Sequence, residues 1–291
     1  MCYIVSRDPR CARLAGSKIV NMLTMSLHKK ISSETSLTLA TLCNISTYPE
    51  FYPDFNESCV ANIVKFLSPI EAAAAGVKIA MSTVAAVTIV EPNMLELRLE
   101  ALNVLYNLLT HSPNTRKHAI TNGLVSALRH LLKEKGSLDA VFPLLASLVR
   151  HMCGEAVVEK LQRKLLFDGV LKVLHELSQA DTPGISLCVT VSLCYLGLGP
   201  DLASLLKTNY IDLLYNQAQS AVQGKGRSSS EVVSIFNHCG VSLFQVSNES
   251  MVAGLLLNNA KFVPLLNLIA TSKDEVLITL ENYNYTHRML C

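Results

Sequence analysis

The chain predicts an all-α fold made from one helical unit used several times. Three observations predict it. The stretch 95–133, LELRLEALNVLYNLLTHSPNTRKHAITNGLVSALRHLLK, places apolar residues at helical spacing on either side of turn signals. Weaker copies of that stretch recur downstream. Their turn positions, Gly123, Gly169, Tyr210 and Lys261, fall at intervals in or near the roughly forty to forty-seven residues of stacked helical repeats.

Within the central stretch, Leu97, Ala101, Leu102, Val104, Leu105, Leu108 and Leu109 include the i, i+3, i+4, i+7 pattern of a helix with a wide buried face. Pro113 disfavours helical geometry at Ser112, so the helix is expected to stop near His111. Arg116 to Thr121 predicts a short helix carrying Ala119 and Ile120. Asn122-Gly123 is a turn signal, because both residues tolerate the left-handed conformation. Leu124, Leu128, Leu131 and Leu132 then give a further stripe.

This order resembles the armadillo repeat. That family's pattern is a long third helix ending in A-x-x-x-L-x-N-L, then N-x-x-x-I, then x-G-x-[IV]-x-x-L-x-x-L-L. The matching residues here are Ala101, Leu105, Asn107 and Leu108, then Asn114 and Ala119-Ile120, then Gly123, Val125, Leu128, Leu131 and Leu132. Downstream copies turn at Asp168-Gly169, at Asn209-Tyr210 and at Ala260-Lys261. The last interval is the longest and contains the insertion GKGRSSS. The resemblance implies a right-handed α-solenoid of armadillo-like three-helix repeats, partly degenerate. The repeats would occupy roughly 10–68, 93–136, 137–180, 181–222 and 229–272, with an irregular helix at 69–92 and a partial repeat at 273–291.

The remaining segments fit around these. Arg10 to Lys29 predicts a helix with Leu14, Ile19, Leu23 and Leu27 inward. Ser33 caps the next helix, SETSLTLATLCNIS, which carries the third-helix pattern at Ala40, Leu42, Asn44 and Ile45. YPEFYPDFNES is a connection, and Cys59 to Leu67 a following helix. Ala72 to Val90 is apolar and rich in small residues; Lys78 within it, with Gly76, Ser82 and Thr83, favours a buried helix over a membrane span. Asp274 to Tyr285 begins another third-helix-like segment, and no polar cap repeat is evident at either end.

Half of the 291 residues are hydrophobic, 16% are charged, and the mean hydropathy is +0.33. Helices flanked on two sides, or surface covered by a partner, account for that apolar content. The net charge of +2 gives no global field for nucleic acid or anionic membrane. A local basic ridge comprises Arg116, Lys117, Arg129, Lys133, Lys160, Arg163 and Lys164, with Lys135 and Lys172 nearby. It reads as solvated helix faces or as a surface for an acidic peptide or tubulin-like tail. The nine cysteines lie mostly within apolar helical runs, as at Cys43, Cys188, Cys194 and Cys239, and predict reduced thiols in a cytoplasmic setting. The N-terminal MCYIVSRDPRCARLAG lacks the apolar core of a secretory signal. The N-x-[ST] triplets at Asn44, Asn56, Asn248 and Asn284 therefore do not read as glycosylation sites.

No catalytic constellation, metal or cofactor is expected. HELSQ at His175 lacks the second histidine of H-E-x-x-H, no C-x-x-C occurs, and GKGRSSS is not a phosphate-binding loop. The absence of Trp argues against base stacking, so no nucleic-acid partner is expected either. The armadillo resemblance instead implies binding along the third-helix ladder, where a W-x-x-x-N pair clamps an extended peptide. The matching positions are Ala40 and Asn44, Asn103 and Asn107, Ser147 and His151, Ser192 and Leu196, and Val241 and Gln245. Only Asn44 and Asn107 keep the Asn, and Asn107 reads equally as a bond to the adjacent repeat. The expectation is a non-catalytic scaffold or adaptor that holds an extended peptide or assembly subunits in a cytoskeletal or axonemal (ciliary) complex. An importin-alpha-like transport adaptor is the alternative.

Overall fold

The computed structural model describes residues 7–8, 18–27, 33–68, 94–133, 141–180, 182–223, 228–248 and 253–271. The expected small-residue helix at 72–90, residue Lys135, most of the GKGRSSS insertion and the 274–285 segment lie outside them. Every regular element among the described residues is helical. The chain divides into two compact units, residues 1–134 and 135–291.

The first unit contains α1 (Lys18–Ser26), α2 (Ser33–Ile45), a 3-10 turn (Pro49–Asp54), α3 (Glu57–Leu67), α4 (Met94–His111), α5 (Pro113–Thr121) and α6 (Leu124–Leu131). The long helices α2 and α4 pack on each other. α3 is central, touching α1, α4, α5 and α6. It buries Cys59, Val60, Ile63, Val64, Phe66 and Leu67, a stripe wide enough to serve neighbours on two sides. Its first turn is capped by Asn56, whose Oδ1 accepts from the Cys59 backbone N–H at 3.0 Å.

The second unit contains α7 (Phe142–Val158), α8 (Gln162–Asp168), α9 (Val170–Ser178), α10 (Pro183–Leu198), α11 (Leu202–Leu206), α12 (Tyr210–Gln223), α13 (Ser229–Ser247), α14 (Ala253–Leu257) and α15 (Phe262–Thr271). A long helix followed by two shorter ones occurs three times here, as it does from α4 to α6 in the first unit. α10 lies between α7 and α13, and α12 packs against both α13 and α15.

The boundaries follow from local chemistry. α4 ends at His111, and Ser112 caps α5 by accepting from the Thr115 N–H at 3.3 Å. Pro113 occupies the first turn of α5, where a missing N–H costs nothing, so the short helix starts three residues before Arg116. Gly123 (φ 78°) and Gly169 (φ 88°) make the left-handed turns expected of them. The later copies turn at Lys207–Asn209 and Asn258–Lys261 with no left-handed residue. One unforeseen left-handed residue, Lys160 (φ 56°), closes α7 where glycine is usual. There the Leu161 N–H reaches back to the Ala156 carbonyl at 2.9 Å.

No described helix is long and apolar enough to cross a membrane. The described cysteines Cys43, Cys59, Cys153, Cys188, Cys194 and Cys239 are free thiols.

Left-handed backbone costs a side chain about 1 kcal/mol. Gly123→Ala should lose about that much stability through the backbone alone, since a Cβ there meets nothing within 4 Å. Lys160→Gly should gain a similar amount. Urea midpoints of the two variants should therefore move in opposite directions.

Candidate functional site

The ladder positions of the long helices do not form one open file. In the first unit, Asn103 on α4 is exposed and Asn107 is half-buried. The Asn107 amide is turned inward: Nδ2 donates to Ser46 Oγ at 3.0 Å and to the Cys43 carbonyl at 3.5 Å. Ser46 Oγ in turn donates to that same carbonyl at 2.7 Å. Asn107 thus ties α4 to the end of α2. Asn44 and Ala40, on α2, are half-buried.

In the second unit, Ser147 and His151 on α7 and Gln245 on α13 are half-buried. The α10 pair is closed. Ser192 is fully buried and donates to the Cys188 carbonyl at 2.7 Å, Leu196 is buried, and so is Val241 on α13. The physical reason is that α10 lies between α7 and α13, and Gln162 at the start of α8 closes its end. Its Nε2 donates to the Leu196 carbonyl at 2.7 Å, and its Oε1 accepts from the Asp201 N–H at 2.7 Å. The amide draws the end of α10 against α8. Gly199 leaves room for it, since a Cβ there would fall 2.4 Å from the Gln162 amide carbon.

What the long helices do present lies one residue before the second ladder position. Equivalent residues are Tyr106 on α4, and Arg150, Tyr195 and Phe244 on α7, α10 and α13. Tyr106 is 37% and Phe244 44% exposed, while Arg150 and Tyr195 are half-buried. The Tyr195 ring leans on α7, where a Cβ on Gly154 would sit 3.4 Å from it. Arg150 reaches towards α10: its charge lowers the pKa of the Cys188 thiol against the larger, raising effect of burial. Arg150 Nε and Asn237 Oδ1 on α13 are buried with no hydrogen-bond partner. Buried polar atoms normally find partners, and these two, like Glu231 Oε1 on α13, have none. Sequence reasoning passed over this row because the armadillo pattern directs attention to Asn; the recurring large residue one position earlier is the signal that finds it.

The basic ridge is divided between the units and its charges are largely occupied. Arg116 donates through Nε to the Leu109 carbonyl at 2.5 Å and through Nη2 to the Thr110 carbonyl at 3.0 Å, capping α4. Arg163 pairs with Asp201 at 2.6 Å and Lys164 with Asp168 at 2.7 Å. The Arg163 hydrogen bond holds the Asp201 carboxyl below its ordinary range, assisted by Ser204. Lys133 and Lys160 are exposed. Arg129 Nε is buried, and Lys117 lies on α5.

The interior of the second unit holds titratable groups without an opening to solvent. Tyr210 is fully buried, donates to the Leu193 carbonyl at 3.0 Å, and its hydroxyl occupies the space where Gly197 has no side chain. Burial pushes Cys153 up to about 12 and Cys194 up to about 11, and raises Cys239 and Tyr210 as well. These thiols are neutral and shielded, the reverse of what a nucleophile needs. Among the described residues no group of three or more His, Cys, Asp or Glu could hold a metal ion.

Comparison with protein families, with curated proteins and with solved structures finds no match to this chain.

Two outcomes follow. Asn107→Ala should cost about 1 kcal/mol in thermal or urea unfolding, because a cross-helix hydrogen bond is lost, whereas exposed Asn103→Ala should be neutral. Cys153, Cys194 and Cys239 should resist a thiol reagent in the folded protein. Their raised folded pKa values make the neutral-thiol contribution to stability complete below about 8.5. That contribution should decline as pH rises through the folded values, so alkaline melting curves of the triple Cys→Ala variant should fall less steeply.

Proposed function

We propose that this protein is a non-catalytic scaffold whose repeated helical units form a right-handed armadillo-like solenoid. The row of long helices would hold a protein partner, either an extended peptide or a subunit of a cytoskeletal or axonemal assembly in the cytoplasm. The observation that carries the reading is the register-equivalent row Arg150, Tyr195 and Phe244 on three successive packed helices. An aromatic face beside a half-buried guanidinium suits a peptide backbone with apolar side chains.

The importin-like alternative asks the Asn107 amide to clamp a peptide. That amide already serves Ser46 and Cys43, which weighs in favour of the scaffold reading.

Peptides selected from a displayed random library against the folded protein test the proposal. Tyr195→Ala and Arg150→Ala should each weaken the selected peptides by about tenfold or more, about 1.4 kcal/mol. The melting temperature should stay within a few degrees. Binding that is indifferent to both variants sinks the proposed face. A basic peptide captured through Asn103 and Asn107 would restore the transport reading.

A further inference from the structure

The third helix of each such triplet opens in one register: Leu124, Val125, Ala127 and Leu128 in α6; Val170, Leu171, Val173 and Leu174 in α9; Tyr210, Ile211, Leu213 and Leu214 in α12; Phe262, Val263, Leu265 and Leu266 in α15. The second and fifth positions of this register are buried in α6, α9 and α12. In α15 they are open, with Val263 56% and Leu266 42% exposed. Leu257, on the contacting helix α14, is 72% exposed. Single exposed apolar residues are ordinary. A pair of them at positions buried in three preceding copies is not.

The first unit offers a counterpart. α1 packs on α3 and α2, and on its other side Met22 is 70% and Met25 60% exposed; Leu37 on α2 is 55% exposed. We propose that the Val263–Leu266 face of one copy of this chain docks on the Met22–Met25–Leu37 face of a second copy. The proposal rests on the stacked-repeat reading above, because it continues between chains the packing seen within each unit. There, helices of this class lie side by side, α1 on α3 on α6, and α9 on α12 on α15. A second copy's α1, nine residues against the ten of α15, supplies a helix of similar length. The faces are also matched in charge: α15 has no charged residue, and α1 has only Lys18 at its start. Their contact therefore buries no unpaired carboxylate, and unbranched Met adapts to the β-branched and Leu side chains opposite. Two different faces make the contact heterologous, so it propagates head to tail rather than closing as a symmetric dimer.

Sedimentation velocity and light scattering on the full chain test this. The wild-type mass should rise with concentration past that of a dimer. Val263→Glu/Leu266→Glu and Met22→Glu/Met25→Glu should each be monomeric, with helical content and melting temperature unchanged. Mixing the two variants should restore a one-to-one complex that grows no further, because each retains the face the other lacks. A wild-type monomer at all concentrations overturns the proposal. So does association that survives both variants, or a complex broken only by the Val263 pair. A fall in the monomer's melting temperature on Val263→Glu/Leu266→Glu also overturns it, since the face would then be covered within its own chain. Peptide capture through Arg150 and Tyr195 is read in a separate assay, so failure here is distinguishable from failure of the scaffold reading.

Discussion

The burial of α10 between α7 and α13 is the interaction on which the second unit depends. α10 has apolar residues on every side, and Ile185, Val189, Leu193, Cys194 and Leu196 are all buried. Such a helix cannot stand on a protein surface. Each large apolar side chain taken from water contributes about 1.5–3 kcal/mol, and here both flanking helices are needed to collect it. The polar residues of α10 comply with this. Thr190 and Ser192 return their hydroxyl protons to carbonyls one turn back, at 2.9 and 2.7 Å, and Ser186 donates to Gln217 Oε1 at 2.6 Å. None is left asking for water.

That constraint explains which parts of the architecture were legible in the sequence. Helical stripes, the stop at His111 and the glycine turns are set by residues within a few positions of each other, and local chemistry decides them. Gly123 and Gly169 take the left-handed conformation because a side chain would be penalised there. Long-range closeness is different. Nothing local announces that Gln162 will bond to Leu196, or that Gly197 is small because the Tyr210 hydroxyl needs its space. Lys160 shows the opposite failure: local preference argues against a left-handed lysine, and the end of α7 imposes one.

The same distinction governs the candidate site. A spacing pattern specifies which residues share a helix face but not whether that face meets solvent or another helix. Asn107 satisfies the armadillo pattern and faces α2, while Ser192 and Leu196 satisfy the spacing and are sealed. Basic residues were legible as a cluster, yet Arg163, Lys164 and Arg116 each meet an acceptor within the fold. Exposed ion pairs of this kind contribute little to stability, and pairing leaves those cations less available to an acidic partner.

Apolar content above that of an ordinary surface has two outlets in this chain. Most of it goes into helices sandwiched by neighbours, which is why α3, α10 and α12 bury residues around much of their circumference. The remainder is exposed at Tyr106 and Phe244 on long helices, at Met22, Met25, Val263 and Leu266 on α1 and α15, and at scattered positions such as Val158, Phe167, Val222 and Leu257. Under the proposed repeat reading, a flank that packs only against a neighbouring repeat stays open where no described helix lies beside it. The exposed large side chains of the long helices and the open faces of α1 and α15 are therefore both what is left once each helix has packed on its neighbours within its own unit.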